Sequence, residues 1–339
     1  MFTRAILLSG ILVLAGMIGS ADAKPCTQKT SRLGRFSTFD PPGSILTSPV
    51  SISVTGAITG TYIDSNDEEN YGFVREANGD ITTFAYLGGL TIPSSINRAG
   101  AIAGSYYDGS LRAHGILRAP DGSITAFDPD GSSNTVAMSI NRAGWIAGDY
   151  ADTNQVGHGF VRSPTGGFTT FDAPESTATL VESINGNGAI AGYYADRRGR
   201  RHGYLRDPDG TITVFDPSRS TRTEATGINR NGWISGTYVR NGYHGFLRAP
   251  DGTITKIDPR GSTDTYANGV GGKGAVVGTY FDSNRVQHGF LFESNGQYII
   301  FDPPGSIATI PTAINNEGAI TGSYEDSDNR RHGFVRSPQ

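Results

Sequence analysis

All six histidines of the chain stand at one position of a recurring motif, each followed by a glycine. Imidazole can bind a metal or transfer a proton, but metal ligands must converge on one point. Histidines that recur in six of seven repeats are instead spread along the chain. We therefore predict a structural role, in which each side chain is mostly buried and hydrogen-bonded within its own repeat. The residues of this histidine column are His114, His158, His202, His244, His288 and His332.

Acidic loops precede the histidine motif in several repeats. The richest is Asp64-Ser65-Asn66-Asp67-Glu68-Glu69. Alternating Asp and Asn oxygens are ligands that Ca²⁺ accepts, so Asp64, Asn66 and Glu68 are weak candidates for a calcium site. The loop lacks the glycine and terminal glutamate of an EF-hand, and the alternative is a turn in which Asp binds its own backbone. No other cofactor is predicted.

Loops in different repeats carry opposite charges. Asp64 and Glu68 are acidic, whereas Arg198 and Arg201 are basic, and these four are the predicted ligand-binding residues. The alternative is that they are solvated loop tips. The segment Gly269–Gly274 matches G-x-G-x-x-G, but its register makes it a turn between strands with no helix after it. No catalytic residue is assigned.

Three sequence columns repeat seven times. The ITxFD-like column begins at residues 36, 81, 124, 168, 212, 254 and 298, so the period is about 44 residues. The second column has the form SINxxGxIxGxY, and the third is the HGFxR-like histidine motif. The first repeat departs from the third column with Tyr71, and from the second with Ser53. The sixth departs with Gly271 and Phe292.

Each repeat predicts four short strands. Tight turns of the NxxG and Pro-Asp-Gly types separate strands of alternating hydrophobicity. Four strands in about 44 residues are typical of a propeller blade, so the fold class is all-β, a seven-bladed β-propeller. A β-helix has shorter repeats, and helical repeats do not fit this glycine-rich pattern. The first strand motif (36–40) is predicted to pair antiparallel with the strand containing His332 and Arg336, which closes the ring. Glu182 and Glu224 are expected to face the central channel.

Blocks such as Ser139-Ile140-Asn141, Gly148-Asp149-Tyr150 and His158-Gly159-Phe160 resemble the HAF-type repeats of bacterial extracellular proteins. The resemblance covers residues 36–339 and implies a secreted or periplasmic bacterial protein. It implies no catalytic residues. The ITxF rhythm is also similar to that of seven-bladed streptogramin lyases, although their tryptophan-containing blade motif is absent from this sequence.

The N-terminus predicts export. Arg4 precedes an apolar run (5–19) and a small-residue cleavage site, which is typical of a signal peptide (1–23) cut after Ala23. A short linker (24–35) and the propeller (36–339) follow. A membrane anchor is the alternative, but the run is shorter than a span of about 20 residues. A lipid on Cys26 is disfavoured because Lys24 and Pro25 are not small.

Composition excludes some functions. Charged residues make up 18% and the net charge is −4, so no nucleic-acid partner is expected. We predict a monomeric, non-catalytic binding module for an unidentified glycan or extracellular protein. Its site is expected on the face with the variable loops, near the channel mouth. The alternative is a lyase or hydrolase acting on a polysaccharide or small cyclic ester, which would require polar residues unique to one repeat to converge.

Overall fold

A computed structural model describes residues 34–67 and 69–338, and in these ranges every helix or strand element is a strand. The strands pair antiparallel in groups of four, which we number in chain order and call sheets 1 to 7, and single parallel bridges join some groups into sheets of twelve and eight strands, which confirms the predicted all-β class. Sheet 1 contains β2 (Ser44–Ile52), β3 (Ile58–Asp64), β4 (Asn70–Arg75) and β5 (Ile81–Phe84). Sheet 2 contains β6 (Thr91–Ile96), β7 (Ile102–Tyr107), β8 (Ala113–Arg118) and β9 (Ile124–Phe127). Sheet 3 contains β10 (Ser132–Ile140), β11 (Ile146–Asp152), β12 (Gly157–Arg162) and β13 (Phe168–Phe171).

The remaining sheets repeat this order. Sheet 4 contains β14 (Ala178–Ile184), β15 (Ile190–Ala195), β16 (Arg201–Arg206) and β17 (Ile212–Phe215). Sheet 5 contains β18 (Arg222–Ile228), β19 (Ile234–Val239), β20 (Tyr243–Arg248) and β21 (Ile254–Ile257). Sheet 6 contains β22 (Asp264–Val270), β23 (Val276–Phe281), β24 (Gln287–Phe292) and β25 (Tyr298–Phe301). Sheet 7 contains β26 (Ala308–Ile314), β27 (Ile320–Glu325), β28 (Arg331–Ser337) and β1 (Arg35–Phe39).

Sheet 7 is built from both ends of the described chain. β1 pairs antiparallel with β28, and the pairing that was predicted is present, with Phe36 opposite Arg336 and Phe39 opposite Gly333. The Phe36 ring lies 5.9 Å from the Phe334 ring at a steep angle. β1 therefore covers an edge of β28 that would otherwise expose unpaired backbone groups.

Asparagines of the NxxG turns join neighbouring sheets. Asn185 accepts hydrogen bonds at Oδ1 from Asn187 N (2.9 Å) and Ala189 N (3.0 Å), and its Nδ2 donates to Asn229 O of sheet 5 (3.0 Å). Asn97, Asn141, Asn229 and Asn315 make the equivalent inter-sheet bond. Ser53 and Gly271 have no side-chain amide, so the ladder is interrupted at sheets 1 and 6.

Arginine of the HGFxR motif packs between sheets. The Arg162 guanidinium lies 4.8 Å from the Phe127 ring of sheet 2, and Arg206 lies 4.7 Å from Phe171 of sheet 3. In sheet 6 the equivalent residue, Phe292, instead packs against Tyr298 with ring centroids 5.0 Å apart. The arginine of one sheet therefore packs on the fourth-strand phenylalanine of the preceding sheet, and these contacts join neighbouring sheets.

The connections divide between two faces. NxxG turns lie beside the turns that join the third and fourth strands, as Gly144 does beside Pro164, and we call this the constant-turn face. At the other end, the run after the FD motif meets the acidic loop, where Thr177 Oγ1 donates to Asp196 O (3.2 Å). We call this end the variable-loop face.

Two sequence predictions concern residues at the N-terminus. The signal peptide (1–23) and residues 24–33 of the linker lie outside the described residues, and β1 begins at Arg35, one residue before the predicted start. Within residues 34–67 and 69–338, no helix is long and apolar enough to cross a membrane.

Candidate functional site

Each histidine of the column bonds to the aspartate that ends the fourth strand of its sheet. The Nδ1 atoms lie 2.6–3.0 Å from a carboxylate oxygen in all six sheets. The pairs are His114–Asp128, His158–Asp172, His202–Asp216, His244–Asp258, His288–Asp302 and His332–Asp40. The last pair joins β28 to the chain just after β1, so it also fastens the N-terminal strand.

The second ring nitrogen faces the acidic loop. His332 Nε2 lies 3.1 Å from Asp326 Oδ2, whereas His244 Nε2 lies 3.0 Å from Arg240 O. A tyrosine of the second strand packs on each imidazole, as Tyr106 does on His114 with ring centroids 4.9 Å apart. The histidine side chains are only 14–25% exposed, so they are mostly buried, as predicted.

Sheet 1 lacks this arrangement and replaces it as a unit. Tyr71 occupies the histidine position, and Ala85 occupies the position of the aspartate that would bind it. The Tyr71 hydroxyl donates instead to Asp67 Oδ2 of the acidic loop (2.6 Å), which raises the pKa of Tyr71 to about 12. Histidine and aspartate are lost together, which indicates that they act as a pair within one sheet.

The acidic loop of sheet 1 forms a turn centred on Asp64 and is also bonded to the preceding run, since Ser65 N donates to Gly43 O (2.9 Å). Asp64 Oδ1 accepts hydrogen bonds from the backbone N and from Nδ2 of Asn66, both at 2.8 Å. Glu68 lies outside the described residues. No group of three or more His, Cys, Asp or Glu residues suited to a metal is found in the described ranges. Calcium binding by Asp64, Asn66 and Glu68 stays a prediction.

The other predicted binding residues lie on sheet 4. Arg198 is exposed at the loop tip, where its backbone N donates to Asp196 Oδ1 (2.8 Å). Arg201 is half-buried at the start of β16, not at a loop tip. Asp64 belongs to sheet 1, so the predicted residues fall on separate sheets. Among the described residues of these four, Arg201 is the one that lies in a cluster of polar side chains from neighbouring sheets.

That cluster spans sheets 4 and 5 at the variable-loop face. Arg201 forms an ion pair with Glu224, and its guanidinium lies 5.0 Å from the Tyr193 ring. Arg222 donates to the same Glu224 oxygen from Nε (2.8 Å) and Nη2 (2.5 Å). Two arginines therefore hold one carboxylate in a fixed position, with an aromatic ring packed against one of them.

Two further carboxylates extend the cluster inward. Glu182 lies at a β-bulge of β14, where the register with β15 shifts between Val181 and Ser183. Asp149 of β11 is half-buried and accepts a long hydrogen bond from Val181 N (3.4 Å). Burial raises the pKa of Asp149 to about 7. Burial, reinforced by the nearby Asp149 and Glu224 charges, raises the pKa of Glu182 well above its ordinary value.

We call Asp149, Glu182, Tyr193, Arg201, Arg222 and Glu224 the inner cluster. The sequence predicted that Glu182 and Glu224 face the central channel, but it did not single out Asp149 or Tyr193. The signal for both is a departure from the repeat, since the residue before the column tyrosine is Ser or Thr elsewhere. The residues at this position are Thr61, Ser105, Asp149, Tyr193, Thr237, Thr279 and Ser323.

The chemistry of the inner cluster suits recognition of a polar ligand. Asp149 and Glu182 form no ion pair within hydrogen-bond distance among the described residues, so their oxygens are available to hydroxyl or amine donors. Tyr193 is buried beneath the Arg201 guanidinium, and burial raises its pKa, so its hydroxyl stays protonated. Carboxylate acceptors and a hydroxyl donor thus lie together on three neighbouring sheets.

Comparison with known proteins identifies the fold. No family model and no curated protein matches the sequence. Virginiamycin B lyase from Staphylococcus aureus is similar in structure, with TM-score 0.59 and 13% identity over 89% of this chain and 99% of that chain. The β-propeller domain of the Trilobed protease from Pyrococcus furiosus is also similar, with TM-score 0.63 and 9% identity over 87% and 96% of the two chains. At these identities the likeness shows the fold alone, which is a β-propeller.

Proposed function

We propose that the chain is a closed ring of seven blades that acts as a secreted or periplasmic, non-catalytic binding module. Ring closure is supported by the β1–β28 pairing and by a parallel bridge between Leu46 of sheet 1 and Arg331 of sheet 7. Asn315 Nδ2 also donates to Ser53 O across the same junction (3.0 Å). The first strands of consecutive sheets contact one another, and β26 contacts β2.

The ligand site is the inner cluster, which runs from Arg201 and Glu224 at the variable-loop face inward to Glu182 at the bulge of β14. The observation that carries this proposal is convergence of residues that the repeat does not require. Asp149, Glu182, Tyr193 and Glu224 come from three sheets. Asp149 and Tyr193 replace the Ser or Thr of the other five repeats, and Glu182 and Glu224 are the single carboxylates at their positions of the repeat. A half-buried carboxylate without a bonded cation weakens the fold, so its presence supports a role in binding.

The ligand class that fits best is a hydroxyl-rich glycan. Sugar hydroxyls donate to carboxylates and accept from a protonated tyrosine hydroxyl. Asp149 and Glu182 supply the carboxylates and Tyr193 the hydroxyl, while the Arg201–Glu224–Arg222 network holds the surrounding side chains rigid. Asp64 and Arg198 lie on the same face and are secondary candidates for contacts with a longer ligand.

The test is a binding titration of the exported chain against neutral cello-, xylo- and chito-oligosaccharides. Glu182→Gln and Tyr193→Ala are expected to weaken binding of the best probe at least tenfold. Glu175→Gln alters an exposed carboxylate on the same face and should leave affinity unchanged. Equal affinity in all four proteins would place the site elsewhere.

A lyase or hydrolase is the second candidate, and the raised pKa values of Asp149 and Glu182 favour it. A carboxyl that titrates near pH 7 can act as a general acid or base. Turnover of the bound oligosaccharide, lost in Asp149→Asn with binding retained, would support the enzyme. Binding without turnover supports the module.

Export and family membership are proposed on the sequence. A signal peptide cut after Ala23 and HAF-type repeats both suit a bacterial extracellular monomer. Intact mass of the protein recovered from a bacterial periplasm or medium should correspond to a chain that begins at Lys24. Recovery of the uncleaved chain from the cytoplasm would contradict export.

A further inference from the structure

The constant-turn face carries the only two tryptophans of the chain, each directly after an NxxG turn. Trp145 belongs to sheet 3 and Trp233 to sheet 5. Alanine occupies this position in the other five repeats, at Ala57, Ala101, Ala189, Ala275 and Ala319. The repeat therefore folds without an aromatic residue here, and the two tryptophans need another explanation.

The two tryptophans differ in their surroundings. Trp233 is half-buried, and its ring lies against the Gly274 turn of sheet 6 and the core beside it. Trp145 is 40% exposed. Its backbone is fixed, since Asn141 Oδ1 accepts from Trp145 N (3.1 Å) and Asn141 N donates to Trp145 O (2.9 Å). Trp145 is a large aromatic surface held open to solvent on a rigid turn.

Arginines stand on the same turns. Arg98, Arg142 and Arg230 occupy the second position of the NxxG turns of sheets 2, 3 and 5, and all three are exposed. Within residues 34–67 and 69–338, the guanidinium groups of Arg98 and Arg142 have no carboxylate partner. They line a pocket of about 510 Å³ together with Ala99 and Ala143.

The spacing of these turns is set in advance of binding. Asn97 Nδ2 donates to Asn141 O (3.2 Å), and Asn141 Nδ2 donates to Asn185 O (3.2 Å), so the turns of sheets 2, 3 and 4 are bonded in series. On sheet 4 the turn carries Gly186, where a Cβ would lie 3.6 Å from Arg142 Nε. The Arg142 side chain thus extends over Gly186, which has no side chain of its own to cover it.

We propose that this face is a second binding surface, for an acidic glycan whose carboxylate groups are held by Arg98 and Arg142 while a sugar ring packs on Trp145. Guanidinium forks match carboxylates with two parallel hydrogen bonds. Tryptophan and arginine are the residue types most enriched where binding energy concentrates. The protein as a whole carries a charge of −4, so the positive charge of Arg98 and Arg142 is a local feature of this face. This surface is independent of the inner cluster on the opposite face.

The experiment measures binding of a galacturonate hexamer by calorimetry at low salt. The double variant Arg98→Gln/Arg142→Gln should weaken binding at least tenfold. Trp145→Ala should do the same while keeping the fold, because five repeats already have alanine at this position. Arg260→Gln changes an exposed arginine on the variable-loop face and should bind as the parent does.

Other probes decide the ligand class. A neutral cellohexaose and the free galacturonate monomer should each bind at least tenfold more weakly than the acidic hexamer, because each lacks one half of the recognition. Affinity for the hexamer should fall as salt rises, less steeply in the double variant. A thymidine oligonucleotide that binds as tightly as the hexamer would overturn the glycan assignment. Unchanged affinity in both the double variant and Trp145→Ala would overturn the surface.

Discussion

The histidine column and the inner cluster place similar groups in opposite circumstances. In the column, every imidazole has a carboxylate on Nδ1, and the set recurs in six sheets. In the inner cluster, Asp149 and Glu182 sit side by side without a bonded cation, and they occur once. Polar groups that recur are satisfied by their own sheet and hold it together. Asp149 and Glu182, which occur once, have no such partner and are available to a ligand.

The largest test of this comparison removes the strand that completes sheet 7. Deleting residues 34–39 removes Phe36 and Phe39 from two cores and exposes the edge of β28. We expect the free energy of unfolding in urea to fall by more than about 5 kcal/mol. The control is a circular permutant that begins at Pro41 and joins Pro338 to Arg35 through Asp-Gly, which copies the turn of the other sheets. A permutant as unstable as the deletion would show that pairing of β1 is not the cause.

The histidine and aspartate of one sheet should contribute to stability as a coupled pair. His158→Ala leaves Asp172 without its partner and is expected to cost about 1–3 kcal/mol. The double variant His158→Tyr/Asp172→Ala copies Tyr71 and Ala85 of sheet 1, and it should cost less than the sum of its two single variants. Urea unfolding of the parent, His158→Tyr, Asp172→Ala and the double variant measures the coupling. Additive costs would mean that the pair does not act as a unit.

In the inner cluster we expect the opposite effect on stability, because replacing Asp149 should raise the free energy of unfolding. The pKa of Asp149 in the fold is about 7, above the ordinary value of 3.8, so folding favours its protonated form. Stability is therefore lost as pH rises from about 4 to 7. Asp149→Asn removes that loss, and we expect its unfolding free energy to exceed the parent's by about 1–2 kcal/mol at pH 8, since the side chain is partly screened by solvent.

The same two proteins compared at pH 4 supply the control, because Asp149 is protonated in the fold there and the difference should nearly vanish. A variant that is less stable than the parent at pH 8 would show that the Asp149 carboxylate is satisfied and has a structural role.

The smallest effect concerns the interrupted asparagine ladder. Ser53→Asn supplies the amide missing from sheet 1 and can donate to the backbone oxygen of Asn97, as the other sheets do to their neighbours. We expect a gain of about 0.5–1 kcal/mol in unfolding free energy. Ser53→Ala is the matched comparison and should lose stability, because Ser53 Oγ accepts from Ala57 N (3.1 Å).

The sequence by itself determined the strands, their number per repeat and the pairing of β1 with β28, because period-two hydrophobicity and turn residues act locally and recur. It also predicted a structural role for the histidines, because side chains repeated in six sheets do not gather at one metal site. It did not determine which side chains meet. Asp149, Glu182, Tyr193 and Glu224 are up to 75 residues apart along the chain. Their approach depends on the bulge of β14 and on the radial packing of neighbouring sheets. Arg201 could not be told from Arg198 by type, and only its strand position beside Glu224 and Tyr193 separates them.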